Sequence, residues 1–252
     1  MNEVLAVTLQ SMQLDMAKVD RVALNLANAQ TTGYKREVLA PAGFAQSLAA
    51  ASSEAGVRGP APLAVHVDQR AGTLRATGAS LDVALTGPGW FEVQTDHGVA
   101  YTRQGDFRVD AQGRLVTQSG QPVMGTSGEI QLPHAHPVID AQGRVFEGTL
   151  PGAAPAVGGN QPIAQLKVVQ FADKAPVQRL GNGLVAVTGE VLASVDGTTE
   201  VKQGYLENSN VSSMQEMVQL MATMRHFESM QKAAMGYDDM LGTAIRKLGD
   251  TA

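Results

Sequence analysis

Glycine and proline are segregated along this chain, and that division decides which parts can be helical. Of 27 glycines, 23 fall between residues 43 and 204, and all 11 prolines lie between Pro41 and Pro176. Both residues punctuate turns and are expelled from helix interiors. The two ends therefore read as helix and the middle as strands and turns. At the N-terminal end, Leu5, Leu9, Met12, Met16, Val19, Ala23 and Leu26 recur at alternating spacings of four and three. That is the narrow apolar seam of a coiled coil rather than the broader stripe of a helix lying on its own domain. At the C-terminal end, Ser213 and Glu216 have capping-box spacing. Behind them runs a second seam: Met217, Leu220, Met224, Phe227, Ala234, Leu241, Ile245 and Leu248. Gln231 and Asp238 interrupt it, and Gly249 fits a helix end. Gln231 is the candidate register-setter, because an amide can pair across an interface, and Asp238 is expected to face solvent. Seven of the 11 methionines lie between Met214 and Met240, which suits a face that packs in several slightly different environments.

The middle has no sustained helical period. Leu81, Val83 and Leu85 alternate, then Gly87-Pro88-Gly89 turns, then Phe91 and Val93 alternate. The pentapeptide Asp110-Ala111-Gln112-Gly113-Arg114 returns unchanged at Asp140 to Arg144, each time ahead of a short apolar run. Gly181-Asn182-Gly183 is a hairpin signal. Short strands at this spacing predict an antiparallel β domain. The fold class expected is α+β: terminal helices forming a coiled-coil-like layer, with a central antiparallel all-β domain. The divisions expected are 1–33 with 206–252 as a helical assembly part, 34–80 as an extended connector, and 81–205 as a β-rich outer domain.

Composition removes several functions. There is no cysteine, so disulfides, thiolate metal sites and cysteine nucleophiles are excluded. Net charge is -5, and no Lys/Arg cluster is longer than Lys35-Arg36, so no nucleic-acid partner is expected. No window is apolar enough to insert in a bilayer. An acid at Glu3 argues against a cleaved secretory signal. His134-Ala135-His136 stands between two prolines with no third ligand nearby, so no metal or other cofactor is expected. No nucleophile elbow or phosphate loop is present, and no catalytic residues are assigned. A free-standing β-rich ligand-binding protein with helical caps is the rival reading; it requires a concave apolar pocket.

Four segments resemble the flagellar rod and hook protein family. The first is Asn25-Leu26-Ala27-Asn28 followed by Thr32-Gly33-Tyr34-Lys35. The others are Leu81 to Phe91, Tyr101 to Phe107, and Gly204 to Val211 with Glu216-Met217 after it. They stand in the family's order and span the chain. Leu24 occupies a place where the family usually carries a further Asn. The Gly89 to Thr95 wording and the length look nearest the proximal rod members, with the distal rod members next. The resemblance implies a non-enzymatic subunit of a hollow, torque-transmitting shaft in the basal body, crossing the periplasm. Its partners would be other rod proteins and copies of itself. It would leave by the flagellar export apparatus, without a cleaved signal peptide.

Overall fold

The glycine-poor ends are helices: α1 spans Asn2–Ala27 and α2 spans Ser213–Gly249. A computed structural model describes residues 2–40, 64–133, 136–148, 161–172, 177–187, 191–193 and 199–249. The chain divides into two units. One comprises residues 1–27, 37–66 and 212–252; the other comprises 28–36 and 67–211.

In the first unit α1 and α2 pack along each other within the one chain. Closing a loop of that length costs entropy only logarithmically in its size. Asn25 meets Glu216, and ten residues back Asp15 meets His226 ten residues on, so the pair is antiparallel. The short strand Glu37–Ala40, paired with Ala64–Val67, lies beside α1. The seam predicted from spacing is not the line that is most buried. On α1 the buried positions are Asp15, Val22 and Asn25, while Leu9, Met16 and Ala23 are exposed and Met12, Val19 and Leu26 are half-buried. On α2 Glu216 and Thr223 are buried, Leu220, Phe227 and Ala234 are half-buried, and Met217, Met224, Gln231 and Asp238 are exposed. The physical reason is polar: two hydrogen-bonded side-chain pairs fix the rotation of the helices and turn part of the apolar seam outward. The side chains of Leu5, Leu241, Ile245 and Leu248 lie outside the described residues.

The second unit is built on a six-stranded antiparallel sheet. Its order is Val177–Gly181, Leu184–Val187, Gly98–Thr102, Trp90–Thr95, Val168–Phe171, Val191–Ala193. Side chains alternate across a strand, so Phe91 and Val93 face one core and Trp90 the other. The larger core adds Val83, Leu85, Phe107, Leu115, Val123, Ile130 and Val145. On the other face Trp90 stacks on Phe171 with ring centres 5.3 Å apart, and Tyr101 meets Phe171 edge-on at 5.1 Å. The hairpin expected at Gly181-Asn182-Gly183 is present, with φ of 97°, 50° and 74°.

The repeated pentapeptide makes the same turn twice. Asp110 accepts backbone N–H bonds from Gln112 and Arg114 at 2.9 and 2.8 Å; Asp140 does so from Gln142 and Arg144 at 3.0 and 2.9 Å. The flanking strands correspond as well: Val109 pairs Leu115 as Ile139 pairs Val145. Further on, the Leu132 N–H donates to Gly113 O and the Leu166 N–H to Gly143 O, both at 2.8 Å. The β unit therefore contains the same Asp-turn hairpin built twice in succession.

Candidate functional site

Glu207, on the short strand Tyr205–Glu207, is where the four sequence motifs meet. Its carboxylate is 2% exposed. One oxygen accepts from Lys35 Nζ at 2.6 Å and from the Gly72 N–H at 2.7 Å. The other accepts from Arg103 Nη1 at 3.1 Å. Arg103 also donates from Nη2 to Gly87 O at 2.6 Å and lies over the Trp90 ring, 5.8 Å from its centre. Lys35 gives a further proton to Arg70 O at 2.8 Å. One acid thus holds two buried bases. Burial first, and then repulsion from Arg103, pushes the Lys35 amine below its ordinary range; Glu207 acts in the opposite direction. Burial likewise lowers Arg103 against the pull of Glu207.

The backbone around this cluster is equally constrained. Gly33 has φ +65°, and its N–H donates to Glu207 O at 2.7 Å. Tyr34 is buried beneath the Arg179 guanidinium, 4.1 Å from the ring centre, while Arg179 Nη2 donates to Lys35 O at 2.7 Å. Asn210 ties this segment to residues 68–70: its Oδ1 accepts from the Arg36 N–H at 2.7 Å, and its Nδ2 donates to Asp68 O and Arg70 O at 3.0 and 2.9 Å.

Asp106 faces Asp82 across an antiparallel bridge. Burial, with repulsion from Asp82, pushes its carboxyl above the usual range, against hydrogen bonds from its own backbone N–H and from Thr32. Folding therefore favours protonated Asp106. That preference carries no cost below the unfolded carboxyl value of about 3.9, and the cost grows as pH rises through the folded value. Asp106→Asn is accordingly expected to be more stable than the parent at pH 7. The gain should shrink towards zero as pH falls to about 4. Urea unfolding followed through Trp90, the chain's one tryptophan, at both pH values checks this.

In the helical unit the motif residue Asn25 does the joining. Its Nδ2 donates to Glu37 O at 2.9 Å and to Glu216 Oε2 at 3.3 Å, and its Oδ1 accepts from the Glu37 N–H at 2.9 Å. The Glu216 carboxylate, anticipated as a cap on its own helix, is thus bonded across to α1. Arg21 Nη1 reaches Glu37 at 2.9 Å. Asp15, also 2% exposed, lies 2.5 Å from His226 Nδ1 and 3.6 Å from Lys18. Along one side of the pair runs a groove of about 400 Å³. It is lined by Met16, Val19, Met224, Phe227 and Gln231, with Asp20 and Glu228. Five of these seven residues come from the two spacing patterns. Elsewhere on the two helices Val7, Leu9, Met217, Val218 and Met221 are also exposed.

Of the other motif residues, Asn28 accepts from the Thr31 hydroxyl at 3.2 Å and Ala27 ends α1 exposed. Spacing did not single out Asp15, Arg103, Glu207 or His226. The available signal was a charged residue inside a motif otherwise apolar or small, as in Tyr205-Leu206-Glu207. Among the described residues, no cluster of three or more His, Asp or Glu could hold a metal, and no helix is long and apolar enough to cross a membrane. His136 Nδ1 lies 3.4 Å from Ser80 Oγ, and His134 lies outside the described residues.

Comparison with known proteins gives the same family for a stretch of the β unit and for the C-terminal part of the chain. Residues 84–146 match the flagellar hook protein FlgE/F/G D1 domain, and residues 202–247 match the flagellar basal body rod FlgEFG protein C-terminal family. The chain is 33% identical to the flagellar basal-body rod protein FlgF of Escherichia coli K12 over 235 residues, covering 90% of each. It is 32% identical to FlgG of Buchnera aphidicola from Acyrthosiphon pisum over 244 residues, 87% of this chain and 90% of that one. It is 31% identical to FlgG of Agrobacterium fabrum over 268 residues, 97% and 98% of the two. Identity at this level over nearly the full length, with four motifs gathered on one buried acid, makes the chain a member of the flagellar basal-body rod protein family, whose members are structural proteins and not enzymes.

Proposed function

We propose that the chain is a proximal, FlgF-like rod subunit that assembles through its terminal helices. Residues 1–33 and 206–252 form the inner, coiled-coil-like layer around a narrow channel, 34–80 connect, and 81–205 form the outer domain. The subunit is carried out by the flagellar export apparatus, without a cleaved signal, and joins other rod proteins and its own copies in a shaft crossing the periplasm. Stiffness under torque comes from many repeated seams, each modest, held by lateral contacts. The observation that carries this reading is the apolar groove between α1 and α2, floored by Met16, Val19, Met224 and Phe227 and left open in the single chain. A monomer gains nothing from leaving such a face in water.

Val19→Asp or Phe227→Asp puts a carboxylate where assembly would bury it, at a cost of several kcal/mol. Basal bodies purified from cells carrying only the variant should lack this subunit, and motility should be lost. Unfolding monitored at Trp90 should shift by no more than about 0.5 kcal/mol. A sharp fall in that transition, or normal motility, refutes the assembly role. The distal rod is the second reading, because relatives named FlgG match as well as those named FlgF. Complementation separates them: a proximal subunit restores motility to cells lacking FlgF and leaves cells lacking FlgG non-motile.

A further inference from the structure

The two copies of the Asp-Ala-Gln-Gly-Arg turn share one backbone geometry but not the same surroundings. In each, the glycine N–H donates to the aspartate O at 3.0 Å, and φ is +79° at Gly113 and +76° at Gly143. The two alanine carbonyls are therefore presented alike. The Ala141 carbonyl accepts the Val201 N–H at 3.0 Å. Val201 lies on the strand Glu200–Gln203, is itself buried, and covers Gly143. A Cβ on Gly143 would stand 3.3 Å from Val201 Cγ2 and 3.4 Å from Leu166 Cβ. The first turn has no such cover. Among the described residues the Ala111 carbonyl accepts no hydrogen bond, and Ala111 and Gln112 are exposed. A Cβ on Gly113 would meet only Leu132 O, at 3.4 Å.

We propose that the first turn is a docking seat for an extended strand of a neighbouring chain in the assembly. That strand gives a backbone N–H to Ala111 O and lays a valine-sized aliphatic side chain over Gly113. Residues 200–202 show the fit, because they fill the equivalent seat on the second turn within the chain itself. A strand added in this way gains affinity from its main-chain hydrogen bonds and is selected by the space for its side chain. Here the space ends on a glycine, so a side chain at position 113 would close it. The inference rests on the assembly reading above and adds a contact made by the β unit rather than by the helices.

Paired glycine substitutions in the full-length chain test this. Asparagine is among the residues that visit positive φ, so Gly113→Asn and Gly143→Asn carry the same conformational cost. They differ in what the new side chain meets. In urea unfolding followed through Trp90, Gly143→Asn must displace Val201 or Leu166 and should shift the equilibrium at least about tenfold further than Gly113→Asn. Gly113→Asn should instead act in assembly. In cells making parent and variant together, its share of the subunit in purified basal bodies should fall about tenfold below its share in the cell. Equal destabilisation by the two substitutions would mean that the chain already fills the first seat, and overturns the proposal. So does Gly113→Asn entering basal bodies in proportion to its supply. Ala111→Cys gives one thiol to a chain that has none. A benzophenone attached there should photocrosslink, in basal bodies, to an aliphatic residue in an extended segment of another chain, whether a second copy or a different rod protein. Attachment only within the same chain, or to no protein, overturns the proposal. Phe227→Asp in the same incorporation assay keeps the two readings apart. If that variant is excluded while Gly113→Asn enters normally, the seat alone is removed. If both enter normally, the assembly reading falls with it.

Discussion

Glu207→Gln should lower the stability of the β unit by about 3–5 kcal/mol, the range for breaking a buried ion pair from one side. The change is nearly isosteric, so little packing is lost. What is lost is, among the described residues, the only acid bonded to both Lys35 and Arg103, each 3% exposed or less. Two cations then remain in a site from which water is excluded. The Lys35 amine, already held below its ordinary range by burial and by Arg103, loses the partner that opposes both effects. Trp90 lies beside Arg103, so urea unfolding read by its fluorescence reports this site directly. Lys35→Met on its own should cost less, since Glu207 keeps Arg103 and the Gly72 N–H. The double variant Lys35→Met/Glu207→Gln should lose less than the two single losses added together, because the residues share one network. Simple additivity, or a loss under about 1 kcal/mol for Glu207→Gln, would mean that the cluster does not hold the motifs together.

Gly33→Ala should be nearly as damaging, by a different mechanism. A Cβ at this position would stand 2.4 Å from the Arg103 carbonyl carbon and 2.5 Å from the Gln104 nitrogen. Both are backbone atoms and cannot swing aside. The φ of +65° adds about 1–2 kcal/mol for any residue bearing a Cβ. To relieve the overlap the chain must move off, breaking the Gly33 N–H bond to Glu207 O and withdrawing Lys35 from the carboxylate. A total above about 3 kcal/mol is expected, in the range of severe single substitutions. Gly78 is the control. Its φ is +73°, but nothing lies within 4 Å of the Cβ it would acquire. Gly78→Ala should therefore show the conformational cost alone, about 1–2 kcal/mol. Equal losses at the two glycines would mean that the close approach to Arg103 is without consequence.

The classes of structure and their order were legible in the order of residues alone. Glycine and proline content separated the helical ends from the antiparallel middle, and the Asp-Ala-Gln-Gly-Arg turns and the Gly181-Asn182-Gly183 hairpin could be placed from a few neighbouring residues. These features depend on backbone preferences within a turn or two, which local sequence carries. Tertiary structure alone decided which side of each helix is covered. Spacing gave Leu9, Met16 and Ala23 the same standing as Met12, Val19 and Leu26, but the bonds from Asp15 to His226 and from Asn25 to Glu216 rotate the first three outward. Periodicity reports that a face exists; it carries no information about a hydrogen-bond partner some 200 residues away. The convergence on Glu207 was hidden for the same reason. Lys35, Arg103 and Glu207 each look like an ordinary surface charge in isolation. Their burial follows only when three separate chain segments close around one carboxylate, where each charge is tolerable because the others are present.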